Sequence, residues 1–300
     1  MKTYRVYQVD SFTTEKFRGN PAGVVANADG LTEAQMQTIA RELNNSETAF
    51  VLSPTAPDHD MWVRFFTPTV EVPTCGHATV AAHYILAREK NLPSCTVIQK
   101  IGAGILPVEI IREDGDYRII MTQGKIEYSE PLAQPECDDI IAALGLTAAE
   151  RDPRCPIQIV STGHSKVMIG IHSRAALNTL KPDLTRLAAI SRRIGCNGHY
   201  VFTLDSDTPD ILAHGRMFAP AIGIAEDPVT GNANGPLGAY LLHNRIVTAN
   251  GPIFAFRAQQ GEAIGRTGIV EVEVHLEAGI PVTVRIGGRA VTCFETVIEW

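Results

Sequence analysis

Apolar and polar residues alternate over Tyr4–Val9, the period of two expected of a strand with one face on a core. A turn at Gly19-Asn20-Pro21 leads into a second strand, Ala22–Ala26. The spacing then changes. Leu31, Met36, Ile39, Ala40 and Leu43 recur at helical intervals, and Thr32 is placed to cap that helix. Strands are predicted at Thr48–Leu52 and Trp62–Phe66, and a helix over His77–Lys90 that stops before Pro93. Further strands follow at Thr96–Gln99, Ile105–Arg112 and Tyr117–Thr122. Ile126–Asp138 holds two prolines and several acids and reads as a linker. A short helix at Asp138–Leu146 precedes strands at Ile157–Ser161 and Val167–Ile171 and a helix at Leu184–Ile194. Strands at Tyr200–Leu204 and Ile211–Phe218 come next, then a helix near Asn234–Asn244. Strands at Ile253–Gln260, Ile269–Leu276 and Val282–Ile286 follow, and Ala290–Trp300 closes the chain.

The second half restarts the order of the first, the signature of a repeat. Leu31–Leu52 lies over Pro182–Thr203, which sets Ile39 on Ile190, Glu47 on Gly198 and Phe50 on Val201. Arg64–Pro68 (RFFTP) matches Arg216–Pro220 (RMFAP), and Cys75–Leu86 matches Thr230–Leu242 with one residue inserted. The offset drifts only from 151 to 155 residues. Amphipathic helices resemble one another by chance, but this ordered succession of helix, strand, R-x-F-x-P and x-G-[HN]-A predicts a duplicated fold. A pseudo-twofold would set the two x-G-x helix starts across an interdomain cleft, a common place for ligands.

Length and composition are compatible with that picture. Three hundred residues suggest two domains, and a core of the size available needs no disulfide or metal staple. The net charge of −7 argues against nucleic acid or an anionic membrane as the main partner, but not against a small anion in a local site. The N-terminus lacks the apolar stretch of a signal peptide, and no run is long and apolar enough to span a membrane. Six cysteines without a CxxC pair read as reduced thiols of a cytosolic protein, and nine histidines show no metal-ligand spacing.

The chemistry sits at the repeated helix starts. Cys75-Gly76-His77 and Thr230-Gly231-Asn232 each open a helix, where free amides and the helix dipole favour negative charge. Glycine allows close approach to the backbone. Such junctions can hold a substrate carboxylate and stabilise charge on the adjacent carbon. Thr230 and Asn232 are equally ordinary cap residues. Glu47 opens the apolar strand Thr48–Leu52, where desolvation favours the neutral acid and suits acid/base work. A solvated loop carboxylate fits the same spacing, but its repeat counterpart is Gly198, so the halves diverge where one base is enough. Asp227, before Pro228, can share a proton or merely close an Asx turn. His77 can donate to a substrate oxygen or cap its helix. Cys75, at a helix N-terminus, is either an activated thiol or an inert buried one. His164, in a turn before a strand, reads as structural.

NPAGVV (Asn20–Val25), NNSETAFV (Asn45–Val51 with Asn44), FFTP (Phe65–Pro68), CGHAT (Cys75–Thr79), STGH (Ser161–His164) and EDPVTGNANGPLGAYL (Glu226–Leu241) resemble, in order and over nearly the whole chain, the PhzF-like family of phenazine biosynthesis. The resemblance implies an α+β fold like that of diaminopimelate epimerase and proline racemase. It has two similar domains, each a curved, mostly antiparallel sheet or barrel around a central helix, with the site between them. The domains would be 1–125, joined by a returning strand near 287–300, and 126–286. In the family's characterised isomerase, a glutamate matching Glu47 moves a proton on a dihydro-hydroxyanthranilate. Its partners match His77, Asp227 and the position of Asn232, and no cofactor or metal is used. Asn232 departs from the typical serine, which bears on the substrate. The epimerase relatives use two cysteines; here the first matches Cys75 but the second is Thr230, a poor base.

The expectation is a cytosolic, cofactor-free isomerase acting on a small carboxylated substrate with Glu47, His77 and Asp227 as catalytic residues. Gly76, Gly231, Asn232, Thr230 and Cys75 would bind that substrate. A racemase using Cys75 opposite Glu47 and a non-catalytic binder of small carboxylates are the alternatives. A homodimer is the assembly the sequence allows.

Overall fold

The structure, a computed structural model, describes residues 1–300, and they fall into two compact units: Met1–Thr122 with Gly287–Trp300, and Gln123–Ile286. Unit 1 runs β1 (Thr3–Ser11), β2 (Asn20–Val25), α1 (Glu33–Leu43), β3 (Thr48–Leu52), β4 (Met61–Phe66), β5 (Glu71–Val72), α2 (Gly76–Lys90), β6 (Cys95–Ile101), β7 (Gly104–Glu113) and β8 (Asp116–Thr122). Unit 2 runs β9 (Glu127–Pro131), α3 (Gln134–Ala143), β10 (Gln158–Ser161), β11 (Ser165–Gly170), α4 (Arg174–Thr179), α5 (Leu184–Ile194), β12 (His199–Thr203), β13 (Ala213–Ala219), β14 (Ile224–Asp227), α6 (Gly231–His243), β15 (Ile253–Gln260) and β16 (Gly268–Glu277). The last strand, β17, is Ile280–Glu299.

The two units share one pairing pattern. In unit 1, β2 lies antiparallel to β1 and parallel to β3, β3 is antiparallel to β4, and β4 is antiparallel to β5 and parallel to β6. In unit 2, β11 lies antiparallel to β10 and parallel to β12, β12 is antiparallel to β13, and β13 is antiparallel to β14 and parallel to β15. β17 pairs with β1 and β8, which closes eight strands of the first unit into a barrel. This is the duplicated α+β fold class that the sequence predicts.

Helix composition decides which side of each sheet a helix takes. α1 and α5 are amphipathic and bury one stripe: Met36, Ile39 and Ala40 in α1, Leu187, Ala188 and Ile190 in α5. Each large apolar side chain so covered contributes about 1.5–3 kcal/mol. α2 and α6 lack a polar stripe through most of their length, and so are largely buried against their sheets, with the last turn of α2 exposed. α2 packs on β1, β2, β3, β7 and β8, and α6 on β10, β11, β15 and β16. Gly238 permits the close approach in unit 2: a Cβ there would lie 2.7 Å from Val274 Cγ2.

Two expectations are corrected. The segment read as a linker, Ile126–Asp138, contains β9 and the first turns of α3. Its acids and prolines are those of an edge strand and of a helix start with Pro135 in the first turn, where the missing N–H costs nothing. The strands read separately at Val282–Ile286 and Ala290–Trp300 are one strand, since Gly287-Gly288 continues the ladder instead of turning. Gly288 is needed because Phe12 packs against it, with Cδ1 2.5 Å from where a Cβ would be. α4 and the short strands β5 and β14 lack enough residues to show a period.

Candidate active site

In unit 1, the motif Asn44-Asn45-Ser46-Glu47 places one carboxylate. Asn44 ends α1 in the left-handed conformation at φ 53°, which asparagine tolerates. Asn45 and Gln8 exchange two amide hydrogen bonds of 2.9 Å and pin the loop to β1. The next two residues both reach the His77 ring: Ser46 Oγ and Glu47 Oε2 each lie 3.3 Å from Nε2. Cys75 Sγ lies 3.5 Å from His77 Nδ1. Ser11 Oγ donates to the His77 carbonyl at 2.7 Å and holds the first turn of α2 in place. His77 and Cys75 are buried, while the Glu47 side chain keeps 16 % of its surface exposed. The imidazole is thus bracketed by a thiol and a carboxylate.

Both helix starts are where the repeat predicts them, at Gly76 and Gly231. Neither preceding residue caps its helix. Cys75 makes no capping bond, and the Thr230 hydroxyl donates to Asp227 Oδ2 instead. Gly76 does not have a positive φ, and nothing lies within 4 Å of where its Cβ would be. So neither backbone strain nor protein packing requires a glycine here, and the first turn of α2 opens onto unfilled space.

In unit 2, Gln260 organises the start of α6. Its Oε1 accepts from Thr230 N (3.1 Å) and Asn234 Nδ2 (3.0 Å); its Nε2 donates to the Asp227 carbonyl (2.8 Å) and to Thr230 Oγ1 (3.1 Å). Asp227, Thr230, Asn234 and Gln260 are all buried. Asn232 departs from helical geometry at φ −81°, ψ 16°, and its buried Oδ1 accepts no hydrogen bond. Asp227 is therefore part of a satisfied polar network with Thr230, Asn234 and Gln260.

The structure brings Glu47, Cys75 and His77 together in one unit and Asp227, Thr230, Gly231 and Asn232 together in the other. His164 lies at the surface of unit 2; partial burial of its ring, with the Lys166 charge nearby, holds its pKa below the usual value. Sequence reasoning singled out neither Ser46 nor Gln260, which contact the candidate residues, nor the buried Lys166. Ser46 was legible as part of the matched motif, whereas Gln260 and Lys166 act through contacts distant along the chain. The ligand atoms of Glu47, Cys75 and His77 lie within 4.8 Å of one another, so a soft divalent cation such as zinc has three donors there.

Comparison with known proteins identifies the family of the chain. Residues 9–296 match the family described as phenazine biosynthesis-like protein. An isomerase of Clostridium acetobutylicum, itself uncharacterized, is 58 % identical over 99 % of this chain and 98 % of its own. The trans-2,3-dihydro-3-hydroxyanthranilate isomerase of Pseudomonas aeruginosa is 32 % identical over 88 % of this chain and 87 % of its own. The crystal structure of a PhzF-family protein of Bacillus anthracis superposes with a TM-score of 0.90 at 32 % identity, covering 100 % of both chains. A hydroxyproline epimerase of Agrobacterium vitis with bound trans-4-hydroxy-L-proline shares the fold alone, with a TM-score of 0.63 at 16 % identity over 99 % of this chain and 92 % of its own.

Proposed function

The chain belongs to the phenazine biosynthesis-like (PhzF) family of isomerases, and from that premise we propose that it moves a proton on a small carboxylated substrate with Glu47 as general acid and base. The observation that carries this reading is the 3.3 Å contact between Glu47 Oε2 and His77 Nε2 at the open start of α2. Glu47 takes a proton from a carbon next to a group that can hold the resulting charge. His77 Nε2 holds a proton beside it and steadies the carboxylate in either state. The free amides of the first turn of α2 stabilise the charge that develops on the substrate. Glu47 then returns the proton to a different carbon. Asp227, with the Thr230 hydroxyl donating to it, serves as a second proton-holding group, and Gly231 and Asn232 serve in binding.

The test is solvent-deuterium incorporation into trans-2,3-dihydro-3-hydroxyanthranilate, the substrate named for the P. aeruginosa relative, and into a panel of amino and hydroxy acids. Wild type should exchange one carbon-bound position. Glu47→Gln keeps the shape but cannot take up a proton, and should lose at least about 10²-fold. Wild-type exchange rates in the glutamine variant would exclude Glu47 as the base. A second reading, racemisation by a thiol, is favoured by Cys75 Sγ at 3.5 Å from His77 Nδ1. Inversion of a labelled amino acid that is lost in Cys75→Ser would support it.

A further inference from the structure

The repeat can be followed residue by residue where it diverges. In unit 1, Gly23 pairs with Thr48 and its amide bonds the Glu47 carbonyl at 3.3 Å. In unit 2, Val167 pairs with His199 and its amide bonds the Gly198 carbonyl at 2.8 Å. Gly198 is therefore the counterpart of Glu47, and Lys166 the counterpart of Ala22 on the neighbouring strand. Where unit 1 has a small residue beside a charged one, unit 2 has a charged residue beside a glycine. The two side chains contend for one space: a Cβ on Gly198 would lie 2.3 Å from Lys166 Cδ. Gly198 is there because Lys166 fills the volume.

Lys166 is 7 % exposed, which is uncommon for a lysine. An ammonium carries three donors, and here one bonds the Ser165 carbonyl at 3.2 Å. Met217 Sδ lies 3.4 Å from the same Cβ position on Gly198, and Met217 is the strand partner of Asp227. β11 packs against α6, at whose first turn the buried Asn232 Oδ1 lacks a donor. A buried cation with donors to spare and an acceptor without a partner thus belong to one region of unit 2.

We propose that Lys166 is an anion-binding residue of this enzyme: its ammonium receives the carboxylate of the substrate at the start of α6, alongside Thr230, Gly231 and Asn232. The proposal rests on the reading that the substrate is a carboxylate, but not on the identity of the base. Burial lowers the Lys166 pKa to about 8, against the opposing pull of Cys196 and Asp227. Those two groups, with His164 just before the same strand, are the titratable neighbours of the amine. Binding through the ammonium is therefore lost as pH rises through about 8.

The test uses the full chain and calorimetric titration with benzoate and anthranilate from pH 6.5 to 9.5. Wild-type affinity should fall as the pH passes about 8, because the neutral amine no longer attracts the anion. Lys166→Met should bind at least about 10-fold more weakly at pH 7 and lose that pH dependence. Lys166→Arg should bind without the fall, since guanidinium stays charged. Gly198→Ala keeps the charge but displaces the stem, and should weaken binding as well. Thermal unfolding checks folding: Lys166→Met should melt no lower than wild type at pH 7, since a buried charge has been removed. Glu47→Gln should bind both probes normally, which separates this proposal from the assignment of the base. Wild-type affinity in Lys166→Met, a pH dependence that survives in it, or no binding of either probe by wild type would each overturn the proposal.

Discussion

The two units carry the same scaffold with different chemistry. Both arginines of the repeated R-x-F-x-P motif stack on the phenylalanine two residues on: Arg64 lies 5.1 Å from the Phe66 ring, Arg216 5.0 Å from that of Phe218. Both also grip a glutamate with two parallel bonds, Glu71 at 2.7 and 2.6 Å and Glu226 at 2.9 and 2.8 Å. At the helix starts the units part. Unit 1 presents Glu47, His77 and Cys75; unit 2 presents Asp227, Thr230 and Asn232, with Lys166 where the glutamate would project. The repeat keeps what folds each unit and differs in the side chains it sets at the helix starts.

The largest expected effect tests that division. Glu47→Gln should lower proton exchange by at least about 10²-fold, while Asp227→Asn, which can still accept from Thr230 Oγ1, should lower it by about 10-fold or less. The reverse ranking would move the base into unit 2.

The repeated arginine gives a difference in stability instead of rate. Arg216 and Glu226 keep only 7 % and 13 % of their side-chain surface exposed, and Arg216 Nη1 also donates to the carbonyls of Leu177 and Leu180. Arg216→Ala leaves a buried carboxylate and two carbonyls unpaired, and should cost about 3–5 kcal/mol. Arg64 faces Glu71 and Glu33, whose side chains are 38 % and 70 % exposed, so water can replace it. Arg64→Ala should cost about 1 kcal/mol. Hydrogen exchange read separately for each unit measures both, and equal losses would show that the repeated fork does the same work in each.

Much of this was legible in the sequence because it is local. Thr48–Leu52 has its predicted limits, Thr32 caps α1 with Gln35 answering in a capping box, and Gly76 and Gly231 start their helices. Glu47 and His77 were legible as candidates through the repeat and the motifs, though their 3.3 Å contact needs the fold. Lys166 was not legible. Gly198 was visible as a divergence, but its cause stands on the neighbouring strand, and only strand register reveals that the two share one volume. Ile126–Asp138 misled for the opposite reason. Proline and acidic residues are turn formers in isolation, yet they also suit an edge strand and the first turn of a helix.

The smallest effect concerns the helix ends themselves. α1 and α5 are capped by their own side chains: Thr32 Oγ1 accepts from Gln35 N at 3.3 Å, and Asp183 Oδ1 from Arg186 N at 2.9 Å. α2 and α6 are not, because Cys75 and Thr230 turn their side chains to other partners. Removing a cap in the first pair, as in Thr32→Ala, should cost about 1 kcal/mol and leave proton exchange unchanged. Cys75→Ser should do the opposite. A hydroxyl at that position can accept from the first-turn amides, so the variant should gain roughly 0.5–2 kcal/mol, the span of such caps. Under the Glu47 mechanism it should also retain proton exchange within about 10-fold, since the thiol is neither the base nor its only neighbour. Thermal unfolding and deuterium incorporation, measured on the same samples, decide both halves. A serine variant that is more stable but inactive would mean that the uncapped start of α2 is kept for the thiol's chemistry, and would shift the assignment from the carboxylate to Cys75.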